Sequence, residues 1–116
     1  MSDPLLELRD ALRAFAAERD WDQFHSPRNH ATALAVEAAE LLEPFQWLSD
    51  EQAANLSPQT RAAVEQEMAD VLLYLVRLAD RLDVDLAAAA RAKIVKNGEK
   101  YPVEKARGSS RKYDEL

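Results

Sequence analysis

The chain has no cysteine, so it can build neither a disulfide framework nor a thiolate metal site. It has only two glycines, Gly98 and Gly108, both late, while alanine and leucine dominate. That is the composition of an all-helical protein. No apolar run approaches the ~20 residues that span a bilayer, and the acidic, amphipathic N-terminus is unlike a secretory leader. The expectation is a soluble, cytoplasmic protein without a membrane partner. Positive charge is in deficit, with 15 Lys and Arg against 21 Asp and Glu, a net charge of −6. This argues against binding to nucleic acid polymers. A free nucleotide is still compatible, because bound cations would reverse the local sign.

What is present is enough for one domain with a modest core: 116 residues, 47% hydrophobic and 31% charged. Ser2 or Asp3 can cap a first helix with Pro4 in its first turn, and its stripe of Leu5, Leu8, Leu12, Phe15 and Ala16 fades near Asp20. Ser26-Pro27 starts a second helix that runs to about Glu43, where Pro44 interrupts it. Residues 48–57 hold no core face and read as a loop. Ser57-Pro58 starts the longest helix, over 58–82, with Val64, Met68, Val71, Leu72, Leu75, Leu78 and Leu82 on its apolar side. Asp83 is the expected cap of a fourth helix ending near Gly98. The expected organisation is a helical domain over 1–101 and a flexible charged tail over 102–116. Four helices with one unusually apolar member suggest an antiparallel four-helix bundle. So small a bundle would leave part of that stripe uncovered, which favours self-association.

Two acid pairs organise the pattern: Glu37-Ala38-Ala39-Glu40 and Glu67-Met68-Ala69-Asp70. At about 100° per residue, each pair shares one helix face. With Glu37 at zero, Leu41, Leu34, Ala38 and Leu42 fall at roughly 40–140° and Glu40 near 300°. With Glu67 at zero, Val71, Val64, Met68 and Leu72 fill the same arc and Asp70 again lies near 300°. A lone acid pair at this spacing is usually a solvated face. A duplicate at the same offset from two apolar stripes is not so easily dismissed. Packing the stripes together brings four carboxylates toward one place, where they repel. A hard divalent cation such as Mg²⁺, with Mn²⁺ as a substitute, would relieve that repulsion.

Other residues add to the picture. Trp21 precedes the acidic helix and Trp47 follows it. They are either hinge packing or a clamp for a flat ring such as a nucleobase. His25, close after Trp21, is either a surface residue or a partner for a base edge or an anion. His30 reads as an ordinary position. The hydroxyl of Tyr74, one turn beyond Asp70, either faces the acids or caps the edge of the core. Lys93, Asn97 and Tyr101 recur every four residues on one face of the fourth helix. Lysines there suit the helix dipole, but ammonium, amide and phenol together also make an anion cradle. Carboxylates for metals, indoles for a base and a basic row for phosphates together describe a nucleoside triphosphate site.

These residues resemble the all-α nucleoside triphosphate pyrophosphatases, the MazG-like enzymes, whose signature is ExxE followed some tens of residues later by ExxD. The resemblance is closer to the dCTP pyrophosphatase branch. It is carried by Glu18-Arg-Asp-Trp-Asp-Gln-Phe-His-Ser-Pro-Arg-Asn29, by Phe45-Gln-Trp47 and by Ser110-Arg-Lys-Tyr-Asp-Glu-Leu116. It covers nearly the whole chain, with no departure at the acid positions.

The resemblance implies hydrolysis of the α–β bond of a deoxynucleoside triphosphate, giving the monophosphate and diphosphate. It implies Mg²⁺ held on the phosphates by Glu37, Glu40, Glu67 and Asp70, and a base pocket formed by Trp21, His25 and Trp47. Tyr74, Lys93, Asn97 and Tyr101 would contact sugar or phosphate, with Lys93 on the leaving diphosphate. Glu37 would take the proton of the attacking water. Homodimers or homotetramers are likewise implied. Telling cytosine from uracil needs hydrogen bonds to the base edge, and the sequence pattern assigns none. Rival readings keep the fold and change the substrate to dUTP or another modified nucleotide, or make the chain a non-catalytic nucleotide-binding module. A di-iron bundle is disfavoured, since neither acid pair carries histidine at i+3.

Overall fold

A computed structural model of the chain describes residues 3–116. It is all-α, with no strand among those residues: α1 (Pro4–Glu18), α2 (Pro27–Leu42), α3 (Asp50–Ala54), α4 (Pro58–Arg81), α5 (Leu86–Lys100) and α6 (Val103–Ala106). Short 3₁₀ turns lie at Asp22–Phe24, Glu43–Phe45 and Tyr113–Glu115. The four long helices expected from the sequence are all present. No helix among the described residues is long and apolar enough to cross a membrane.

The helix starts follow local chemistry. Asp3, Ser26 and Ser57 each cap a helix whose first turn holds a proline, and their side chains accept the N–H groups of Leu5, Asn29 and Thr60. The helix ends show how a glycine-poor chain turns. Asp20 and Asp83 adopt left-handed φ values of 53° and 55°. The next N–H reaches back across each helix end, from Trp21 to the Ala16 carbonyl and from Val84 to the Ala79 carbonyl. This is the closure usually given to glycine, which aspartate also tolerates. Asp83 therefore closes α4 instead of capping α5, and Asp85 is the cap, accepting from Ala88 N–H. The expected loop over 48–57 is also corrected. Ser49 and Gln52 form a reciprocal capping box that winds Asp50–Ala54 into α3.

The residues up to Val84 form one compact unit and those from Asp85 a second. In the first, the main packing is α2 on α4, with α1 also against α4. His30 meets Tyr74 while Glu37 meets Glu67, so α2 and α4 run antiparallel. Among the described residues of this unit, the buried apolar ones are few and small: Ala16, Val64, Val76 and Ala79. In the second unit, residues 102–116 carry α6 and the last 3₁₀ turn. There Tyr113 sets its ring edge-on to Tyr101 at 6.2 Å, with the Lys100 ammonium over it.

The inward faces differ from the expected stripes. On α2 the shielded positions are His30, Ala33, Leu34, Glu37, Glu40 and Leu41, so the acids belong to the contact face itself. Leu42 is 61% exposed and Met68 56%, with Ala38 and Leu72 exposed beside them. The α2–α4 contact is centred on the acids, which turns the flank at 100–140° outward on both helices. In an antiparallel pair those matching angles put Ala38, Leu42, Met68 and Leu72 on one side of the helix layer.

Candidate active site

The spacing of the acids places them where α2 and α4 touch. Glu37, Glu67 and Asp70, all half-buried, each offer one oxygen, and these oxygens lie within 4.8 Å of one another. The Oε2 atoms of Glu37 and Glu67 are shielded from solvent and have no hydrogen-bond partner among the described residues. Partial burial, followed by contact with the Glu67 and Glu40 carboxylates, pushes the Glu37 carboxyl up to about 7. Orphaned, mutually repelling oxygens on a hard, all-oxygen donor set fit a divalent cation. Glu40, the fourth expected ligand, reaches the Glu37 carboxyl but lies outside the group of three.

Asp70 also borders a cavity of about 190 Å³ in the same unit. Its polar and aromatic wall is Trp21, His25, His30, Tyr74 and Arg77, and Leu12, Phe15 and Leu73 complete it. The rings contact in sequence. Phe15 and Trp21 lie edge-on at 5.7 Å, Trp21 and His25 are 6.2 Å apart, His25 and His30 are 4.5 Å apart, and His30 and Tyr74 are 5.6 Å apart. Burial lowers the proton affinity of both imidazoles; Arg77 adds to the effect at His25, and His25 at His30.

Arg77, only 4% exposed, anchors this wall. Its Nε donates to His25 Nδ1 at 3.1 Å, its Nη1 to Asp80 at 3.3 Å, and its Nη2 to Asp22. Asp80 also accepts from Arg13 of α1, whose Nε is 2.8 Å away. That contact, more than any other, holds the Asp80 carboxyl below its usual range. A buried arginine is thus matched by two carboxylates, and the 21–25 turn is tied to α4.

The structure brings together Trp21, His25, Tyr74 and Asp70 around one cavity, and Glu37 and Glu67 converge on Asp70. Tyr74 turns to the cavity. Trp47 stands 85% exposed after the Glu43–Phe45 turn and does not line the cavity. Lys93 and Asn97 are exposed along α5, and Tyr101 at its end packs on Tyr113 in the second unit. Two cavity residues went unrecognised in the sequence. His30, read as ordinary, is 5% exposed and central to the ring series. Arg77 carried a usable signal, as a cation within the otherwise apolar run Val71–Leu78.

Fold and site together define a helical protein with a cation-ready carboxylate group opening onto a ring-sized aromatic cavity. The chain belongs to the MazG-like family, whose model matches residues 32–116. It is 50% identical to human dCTP pyrophosphatase 1 over 117 residues, covering 98% of this chain and 69% of the relative. The bovine dCTP pyrophosphatase 1 is 49% identical over 118 residues, with 99% and 70% covered. A crystal structure of a pyrophosphatase from Archaeoglobus fulgidus superposes with a TM-score of 0.82 at 39% identity, covering 88% of this chain and 95% of that one.

Proposed function

We propose that the protein is a dCTP pyrophosphohydrolase: water and dCTP give dCMP and diphosphate, a reaction that removes unwanted pyrimidine triphosphate from the nucleotide pool. The observation that carries this reading is the convergence of Glu37, Glu67 and Asp70 beside the aromatic cavity. Glu37, Glu40, Glu67 and Asp70 would hold Mg²⁺, or Mn²⁺ in its place. The cation supplies charge neutralisation and orientation for the triphosphate. Of the cluster carboxylates, Glu37 takes the proton of the attacking water.

Trp21 and the rings behind it hold the base. An engineered, enclosed apolar cavity of about 150 Å³ accommodates benzene, so this half-open one has room for a six-membered ring. Trp47 covers the base from outside, and Tyr74, Lys93, Asn97 and Tyr101 serve sugar and phosphates. Self-association as a dimer or tetramer belongs to the same reading. The support for it is the outward apolar side of the α2–α4 layer, formed by Ala38, Leu42, Met68 and Leu72, set against a very small buried core. The reading also places the protein in the cytoplasm.

The test is a screen for Mg²⁺-dependent diphosphate release across common and 5-modified deoxynucleoside triphosphates. Highest kcat/KM for dCTP or a 5-modified dCTP is expected. A preference for dUTP would replace the substrate, and nucleotide binding without turnover would replace the enzyme by a binding module.

A further inference from the structure

Beyond the base pocket itself, the Arg77–His25 contact decides what that pocket can offer a base. A guanidinium has donors only and keeps its proton at any working pH. Because its Nε–H points at His25 Nδ1, that nitrogen must present a lone pair. A neutral imidazole with one accepting nitrogen carries its proton on the other. His25 lines the cavity, and its Nε2 has no hydrogen-bond partner among the described residues. Arg77 cannot swing away to release the ring, since Asp80 and Asp22 take its other two nitrogens and Arg13 holds Asp80 in turn.

We infer that Arg77 is a positioning residue that locks His25 in the Nε2–H tautomer, giving the cavity a fixed hydrogen-bond donor that selects the cytosine N3–O2 edge over the N3–H of uracil or thymine. Cytosine N3 accepts a hydrogen bond, whereas uracil and thymine present a hydrogen there, so donor meets donor and one polar group is left unpaired. A site with a fixed donor discriminates in this way without added bulk. The inference rests on the dCTP reading above and names the group that sets its base preference.

Long-range ¹H–¹⁵N NMR of the labelled, unmodified protein reads which ring nitrogen of His25 carries hydrogen. Nε2–H with a bare Nδ1 is expected, and a hydrogen on Nδ1 overturns the inference. Arg77→Met should release the ring into both tautomers and lower the dCTP:dUTP ratio of kcat/KM roughly tenfold, the scale of one net hydrogen bond. If that variant fails to fold, His25→Phe removes the donor and leaves Arg77 paired with its aspartates, and the same fall in ratio is expected. An unchanged ratio in either folded variant refutes the selection step. A wild type that hydrolyses no nucleotide would refute the proposed function while leaving the nitrogen assignment standing.

Discussion

Glu37 of α2 and Glu67 of α4 share an inward contact in which the Oε2 of each is shielded and unpartnered among the described residues. Two carboxylates held this way are a poor structural choice and a good cation trap. Glu67→Ala should lower diphosphate release by ~100-fold or more while circular dichroism shows the helices intact. Near-full activity in that variant would remove the carboxylates from the reaction.

The same contact makes the metal-free protein sensitive to pH. The folded Glu37 carboxyl holds its proton up to about 7, whereas an unfolded one releases it near the ordinary 4.5. The folded state therefore binds more protons within that window, and this group's contribution to stability falls as pH rises through it. With a chelator present, the melting temperature should be higher at about pH 5 than at about pH 7.5 on this account. Glu37→Gln should flatten the difference and raise the melting temperature at the higher pH. Added Mg²⁺ should stabilise the wild type by mass action but the variant much less. A lower melting temperature for Glu37→Gln in chelator would contradict the repulsion.

Trp21 and Trp47 differ in placement and should differ in effect. Trp21→Ala removes a cavity wall and should raise KM for dCTP roughly tenfold, within the range for one base–aromatic stack. Trp47→Ala should weaken dCTP binding more than it weakens Mg²⁺ binding, as measured by calorimetry. Equal losses of both ligands would count against a covering role for the second indole.

Asp80 supplies an acid-side prediction. Its carboxyl is held below the usual range chiefly by Arg13, so its contribution is present above about pH 4 and is lost as pH falls through its depressed folded value. Asp80→Asn should destabilise the protein at neutral pH by roughly 2 kcal/mol, because two guanidinium groups lose their anion. The gap between wild type and variant should narrow in acid denaturation curves. A gap that widens toward low pH would mean that some other contact dominates.

The parts of this molecule that obey local rules were legible in the sequence. Ser26-Pro27 and Ser57-Pro58 marked their helix starts, and the i, i+3 acids declared two matching faces. What escaped depends on which surface covers which. Wheel angles grouped Met68 and Leu72 with Val71 and Val64, but α2 seats itself over the acids and leaves the first two outside. His30 and Arg77 acquire their roles only when α2, α4 and the 21–25 turn close on one cavity. The helix α3 was missed because five residues show no periodicity, although Ser49 and Gln52 carried its capping signature.

The proline-and-cap starts at Asp3, Ser26 and Ser57 bear on how the polypeptide is made. Each writes the origin of a coil into adjacent residues, so the starting point of these three helices is encoded locally and not by the surface that later covers them. Altering the length of the stretch between residues 48 and 57 should therefore change how fast the segments dock while leaving where each one begins untouched.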